Sequence, residues 1–331
     1  MPKIVAGEKD PVRKIDLATA LQYGTAEGYP PLLSFIRQFT RDHLHPSVPY
    51  LGGPEVVLTC GSTDGFSKTL DLLIDPWSET ADDMRDRPGM LCEPFIYASI
   101  LTQVQPRGVQ VVTVETDEHG MAAHGPGGLE DVLANWDYEK GKRPSFMYTV
   151  TFVPPQLFPE TWHSNSQQLT SSNHHSLGHN PTGLVLSVER KKELYAVCSK
   201  YDVIIVEDEP YWYLQFPSAA IEEARSRGQE PPPPPQEGGQ AAGYKPPVSS
   251  GYEFLDSLTP SFLSVDTDGR VIHLDTFSKT IAPGCRLGWI TAQPNIIDKL
   301  IRYASASSHP HPHSLPPFSS PLHTQSVSHP N

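Results

Sequence analysis

Apolar residues along this chain fall into short unbroken runs that alternate with stretches of helical spacing. Leu32, Leu33, Ile36 and Phe39, following the Gly/Pro-rich turn from Gly24 to Pro31, predict an amphipathic helix. Residues 55–59 predict a strand. In GSTDGFSKTLDLLI the positions Phe66, Leu70, Leu73 and Ile74 recur at i, i+4, i+7 and i+8, so a helix is expected to begin close to Ser62 and Thr63. Further strands are expected at 90–92, 109–114, 146–150 and 203–206, with helices at 129–136 and from about Ser187. Near the C-terminal end, Val271, Ile272 and Leu274 predict a buried strand, residues 275–279 a polar loop, and residues 287–292 a second strand, with Pro283-Gly284 preventing a long helix between them. Short apolar strands alternating with helices predict an α/β domain around a largely parallel central sheet flanked by helices.

Three stretches break the alternation. Residues 152–177 are rich in Ser, Asn, Gln, His and Pro and carry neither period. Residues 217–250 contain the run Pro231 to Pro235 and are expected to be an extended, linker-like insertion. Residues 306–331 form a His/Pro/Ser-rich tail that is not expected to fold. The expected domain therefore spans residues 15–305, interrupted at 152–177 and 217–250. Histidines crowd two of the irregular stretches (His163, His174, His175; His309, His311, His313), but without a cysteine or carboxylate framework they do not predict a metal site.

Length and charge narrow the classes. At 331 residues the chain can bury a sizeable core, and a formal charge of −13 without a basic block disfavours nucleic acid and anionic membranes as partners. The four cysteines (Cys60, Cys92, Cys198, Cys285) show no CxxC pairing, which fits a reducing compartment better than a disulfide framework. No apolar run reaches membrane-spanning length and no apolar leader opens the chain, so a cytoplasmic protein is expected.

The candidate chemistry sits where strands end. The loop after residue 274 carries Thr276, Ser278, Lys279 and Arg286, two hydroxyls, an amine and a guanidinium between two strands. A desolvated lysine is a nucleophile, and hydroxyls beside a guanidinium hold phosphate. A solvated surface lysine is the plainer alternative. The strand, Gly-Ser turn and helix start at residues 55–63 offer free N–H groups and the positive end of a helix dipole to an anion, although a simple N-cap would look the same. The strand at 203–206 runs into Glu207, Asp208 and Glu209, at the end of an α/β strand where ligands lie; a solvated strand end is the alternative.

Three pieces in order, NPTG at 180–183, DEPYW at 208–212 and TFSKT…RLGW at 276–289, resemble the pyridoxal-phosphate-dependent aminotransferases of fold type I, class I/II. The flavour is similar to the fungal aromatic amino-acid and 2-aminoadipate (kynurenine-type) branch. The resemblance implies that Lys279 forms the internal aldimine with pyridoxal 5'-phosphate and moves the proton. It implies that Asp208 pairs with the pyridinium nitrogen, that Asn180 and Tyr211 donate to the ring phenolate oxygen, and that Tyr97 stacks on the ring. Ser62, Thr63, Thr276, Ser278 and Arg286 would hold the phosphate. Tyr23 matches a tyrosine that reaches the neighbouring subunit's phosphate, so a homodimer is implied, with an amino acid and a 2-oxo acid as substrates. The family also implies a longer N-terminal arm and a C-terminal small domain that grips the substrate carboxylate. In the residues given, that domain is missing and the tail stands in its place, while 152–177 looks interpolated. Alongside a transaminase, three readings stay open: another coenzyme-dependent carbanion enzyme (a lyase or decarboxylase), a coenzyme-binding but catalytically impaired chain, and a ligand-binding module.

Overall fold

The computed structural model describes residues 22–117, 119–151, 186–214, 219–230 and 248–306. Its strands, in chain order, are β1 (Glu55–Thr59), β2 (Gly89–Cys92), β3 (Gln110–Thr113), β4 (Thr116–Asp117), β5 (Gly120–Met121), β6 (Phe146–Thr149), β7 (Ile204–Asp208), β8 (Val271–Thr276) and β9 (Gly288–Ala292). The helices are α1 (Pro30–Phe39), α2 (Ser62–Leu73), α3 (Ala98–Val104), α4 (Leu129–Ala134), α5 (Val188–Tyr201), α6 (Ala219–Ser226), α7 (Glu253–Asp256) and α8 (Pro294–Ala306).

Seven strands form one sheet in the order β1-β9-β8-β7-β6-β2-β3, and β4 pairs with β5 as a separate small hairpin. From β8 to β3 every neighbour is parallel, whereas β9 runs antiparallel to both β8 and β1. Six strands thus end at one edge of the sheet, and β9 begins there. Parallel strands need cover on both faces, and they have it. On one face Phe66 and Leu70 of α2 and Ile297 and Leu300 of α8 pack on Val206, Ile272, Leu274 and Ile290. On the other, Leu194 and Cys198 of α5 pack on Met147, Ile205 and Val271. Burying each such side chain contributes about 1.5–3 kcal/mol. Leu33 and Ile36 of α1 dock with Trp212 and Trp289 in a third cluster at the end of the sheet.

Local signals explain the element boundaries. Pro30 stands in the first turn of α1, where its missing N–H costs nothing. The Ser187 hydroxyl accepts from the Arg190 N–H at 3.1 Å to cap α5, which Asp202 ends in the left-handed region at φ 57°.

Two sequence expectations need correction. Asp275 and Thr276 belong to β8 and are buried, because pairing with β7 and β9 carries the strand past its apolar run. Part of the 217–250 stretch is helical, since α6 occupies Ala219–Ser226. A helix that was not among the expected elements, α8, buries Ile297, Leu300 and Ala304 at helical spacing inside the expected domain. The segment 152–177, Asn180, and residues 307–331 with their histidines lie outside the described residues. Among the described residues, no helix is long and apolar enough to cross a membrane.

Candidate functional site

The edge where six strands end holds several of the expected groups, and two close backbone approaches shape it. Gly61, the N-cap of α2, sits at φ 93°, a conformation glycine adopts freely. A Cβ there would lie 3.2 Å from Arg286 Nη2 and 3.6 Å from Thr276 Oγ1. At the start of β9 a Cβ on Gly288 would lie 2.5 Å from the Asp275 carbonyl oxygen and 2.8 Å from Gly61 Cα. Two bare glycines therefore let the α2 N-terminus, the end of β8 and the start of β9 close into one cradle.

The cradle is polar and cationic. Arg286 Nη2 donates to the Cys60 carbonyl at 2.8 Å. Its backbone is left-handed (φ 50°, ψ 44°), an uncommon and costly state for a side chain with a Cβ and one found mostly where a site needs it. The Thr276 and Ser278 hydroxyls lie 2.9 Å apart, Thr276 Oγ1 donates to the Leu287 carbonyl at 3.1 Å, and the Ser278 N–H donates to Thr276 Oγ1 at 3.1 Å. With the free N–H groups of α2, this set suits a phosphate-sized dianion.

Behind the cradle stands Asp208, buried at the end of β7. The Tyr148 hydroxyl donates to its Oδ2 at 2.9 Å, whereas Oδ1 is buried and has no hydrogen-bond partner among the described residues. Burial pushes the Asp208 carboxyl up to about 6; Tyr148, Ser62 and the charge of His273 work the other way. At neutral pH it remains a carboxylate with one oxygen unsatisfied, which costs stability unless a donor arrives. Burial, and then the Asp208 charge, hold the Tyr148 hydroxyl well above the ordinary tyrosine range, so it stays a donor.

Lys279 Nζ lies 5.6 Å from the centroid of the Tyr211 ring, bringing two expected residues together. Lys279 is exposed, however, so the loss of water expected of its amine is not supplied by the described residues. Thr63 is exposed at the first turn of α2, and Tyr97 is the 40 % exposed N-cap of α3. Ser62, in the first turn of α2, lies close enough to Asp208 to help hold its carboxyl down. Tyr23 is fully exposed. Tyr148 was not anticipated, although a tyrosine inside the apolar run FMYTV signals a buried hydroxyl in need of an acceptor.

The opposite face of the same strand ends carries a second polar cluster. Glu207, Lys191 and His273 are fully buried. Glu207 accepts from the Phe262 N–H with both oxygens at 2.9 Å, lies 3.6 Å from Lys191 Nζ, and contacts His273 Nδ1 at 2.8 Å. Burial opposes a charged His273, but the carboxylates of Asp275 and Glu207 outweigh it and push the imidazole up to about 10.

Comparison with known proteins agrees with this geometry. The family model of class I and II aminotransferases matches residues 174–320. An aromatic amino acid aminotransferase of Schizosaccharomyces pombe is 33% identical over 292 residues, covering 88% of this chain and 48% of its own. The mitochondrial kynurenine/alpha-aminoadipate aminotransferase of Mus musculus is 32% identical over 87% of this chain and 52% of its own. A crystal structure of an aminotransferase from Candida albicans superposes with a TM-score of 0.66 at 30% identity, covering 92% of this chain and 52% of that one. The chain spans about half the length of the relatives it matches. In sequence and in fold it is a homologue of the class I and II aminotransferases.

Proposed function

We propose that this chain binds pyridoxal 5'-phosphate and takes part in transamination between an amino acid, aromatic or 2-aminoadipate-like, and a 2-oxo acid. The observation that carries the reading is Asp208: a buried carboxylate with one oxygen that has no hydrogen-bond partner among the described residues, at the same sheet edge as an anion cradle and a lysine. A pyridinium N–H would satisfy that oxygen, and a charge-assisted bond of this kind contributes about 1.5–3 kcal/mol. The coenzyme, when bound, supplies the electron sink for a carbanion. Asp208 would keep its ring nitrogen protonated. The Gly61-Ser62-Thr63 helix start, Thr276, Ser278 and Arg286 would hold its phosphate. Lys279 would capture its aldehyde and carry the proton at Nζ, with Tyr211 beside it. Tyr97 would cover the ring, and Asn180 and Tyr211 would donate to its phenolate oxygen. A second copy of the chain would receive Tyr23. All four cysteines are free, in keeping with a reducing, cytoplasmic setting.

The test is the near-visible absorbance of purified protein after addition of pyridoxal phosphate, compared with Lys279→Ala. A band that forms in the wild type and not in the variant supports the assignment; a wild-type spectrum identical to free coenzyme ends it. Half-reactions with phenylalanine, tyrosine, kynurenine and 2-aminoadipate then separate transamination from a second reading, coenzyme binding without turnover. The exposure of Lys279 favours that second reading, because a hydrated amine is a poorer nucleophile and base.

A further inference from the structure

Behind the sheet, on the face turned away from Asp208, lies a group of buried side chains that the proposed chemistry does not use. His273 and Asp275 alternate along β8 with Leu274 and Thr276, so they point to the α5 face while Thr276 faces the cradle. His45, from the loop after α1, stacks on Trp212 with ring centroids 5.2 Å apart and meets His273 edge-on at 5.1 Å. His45 is 3% exposed, and His273 and Asp275 are 0% exposed.

Each of the three has polar atoms left unsatisfied. Both ring nitrogens of His45, His273 Nε2 and Asp275 Oδ2 are buried without a hydrogen-bond partner among the described residues, and so is Oγ1 of Thr291, opposite His273 in register. Native interiors tolerate few such atoms, and a cluster of them calls for an occupant. His273 Nε2 and Asp275 Oδ2 are 3.1 Å apart yet misaligned for a hydrogen bond. That spacing is close to the roughly 3.3 Å edge of a tetrahedron with metal–ligand bonds near 2.0–2.1 Å. One donor atom from each residue lies within 4.8 Å of the others.

We propose that His45, His273 and Asp275 form a buried divalent-cation site of zinc type. Two imidazoles and a carboxylate are a favoured zinc donor set. The supporting shell is already built. Glu207 Oε2 holds His273 Nδ1 at 2.8 Å, the carboxylate–histidine arrangement that orients a ligating ring and leaves Nε2 for the metal. The Tyr213 hydroxyl donates to Asp275 Oδ1 at 3.1 Å, which leaves Oδ2 facing the imidazoles. A cavity of about 40 Å³ is lined by His43, His45, Trp212, Leu258 and Ser264, so it adjoins one of the three residues. It is large enough to hold water beside His45. Zinc entry displaces the proton on His273 Nε2 to solvent, so the exchange balances as one metal in and one proton out. A filled site would pin the end of β8 from behind, on the strand that presents Thr276, Ser278 and Lys279.

The test is equilibrium dialysis of chelator-treated, full-length protein against Zn²⁺, with Asp275→Asn and His45→Gln alongside and circular dichroism to confirm folding. The expected result is one zinc per chain, with affinity at least about tenfold weaker in each variant. Stoichiometric zinc that survives both substitutions undiminished belongs elsewhere on the chain and overturns the proposal, as does the absence of stoichiometric binding, which would leave ordered water as the occupant. Cobalt provides a readout on the unsubstituted protein should a variant misfold. An intense visible band reports four- or five-coordination and supports the site, whereas only the weak band of an octahedral ion refutes it.

Discussion

Glu207 and Asp208 are consecutive residues at the end of one strand, both buried and both acidic, yet they face opposite sides of the sheet and live under opposite rules. On the α5 side the chain provides Glu207 with its own counter-charges: Lys191, His273 and the Phe262 N–H hold its carboxyl below the ordinary range against the cost of burial. On the α2 side, among the described residues, a phenol and a nearby serine face Asp208, and burial pushes its carboxyl up to about 6. One acid is part of the scaffold and the other is held in waiting. Neutralised acids report how a protein stays folded; an acid left short of partners reports what the protein expects to bind.

Four experiments sharpen or break that contrast. The largest effect is expected on the waiting side: Lys279→Ala should lower the half-reaction rate by about 10²–10⁴-fold, the usual worth of a positioned acid–base group, with little change in the thermal midpoint of the apoprotein. A variant that transaminates at the wild-type rate in stopped-flow would remove Lys279 from the chemistry. The mirror experiment is Lys191→Met. Removing one partner of a buried pair typically costs about 3–5 kcal/mol, to be read by urea denaturation, and the loss should be in stability. If Lys191→Met proved neutral, Glu207 would not depend on the counter-charge that Lys191 supplies.

Asp208→Asn tests the sign of the waiting acid. Its folded pKa lies above the unfolded one, so the wild-type carboxyl favours folding below about pH 4, and that contribution is lost as pH rises through about 6. The asparagine variant should therefore be the more stable apoprotein at pH 8, by on the order of 3 kcal/mol at most, and the advantage should vanish near pH 4. The same variant should bind pyridoxal phosphate more weakly. A variant less stable than wild type at pH 8 would show that Asp208 has partners enough already. The smallest effect belongs to the seam between the regions: Gly288→Ala forces a methyl against the Asp275 carbonyl and Gly61 Cα, and should cost about 1–3 kcal/mol in the same denaturation assay.

Much of this architecture could be read from residue order, and the reasons differ by element. β1 and the start of α2 were legible because a five-residue strand with an apolar centre, a glycine turn and a helical period follow in close succession. The ends of β7 and β8 were harder, since Glu207, Asp208, Asp275 and Thr276 look like loop residues until neighbouring strands on both sides extend the ladder over them. α8 was hidden by its place just before the His/Pro/Ser-rich tail, although Ile297, Leu300 and Ala304 carry the period. Of the site, motifs supplied Asp208, Tyr211, Thr276, Ser278, Lys279 and Arg286. They could not supply Tyr148 or the approach of Gly61 to Gly288, because those contacts depend on strand register. The exposure of Lys279 was equally unreadable, since solvation is decided by what covers the loop rather than by the loop itself.

The reversed strand β9 has a consequence for how the protein is made. Among the described residues β1 lies at the sheet margin and pairs with β9 alone, and Cys60, just past β1, meets Arg286 across 226 positions of chain. At about 5–20 residues per second of synthesis, the nascent β1 waits on the order of ten seconds or more for its mate. Throughout that interval a bare apolar ribbon, Val56, Val57 and Leu58, is on offer to any other unfinished strand. Yield in the cell should accordingly depend on how fast the last fifty residues of the fold leave the ribosome.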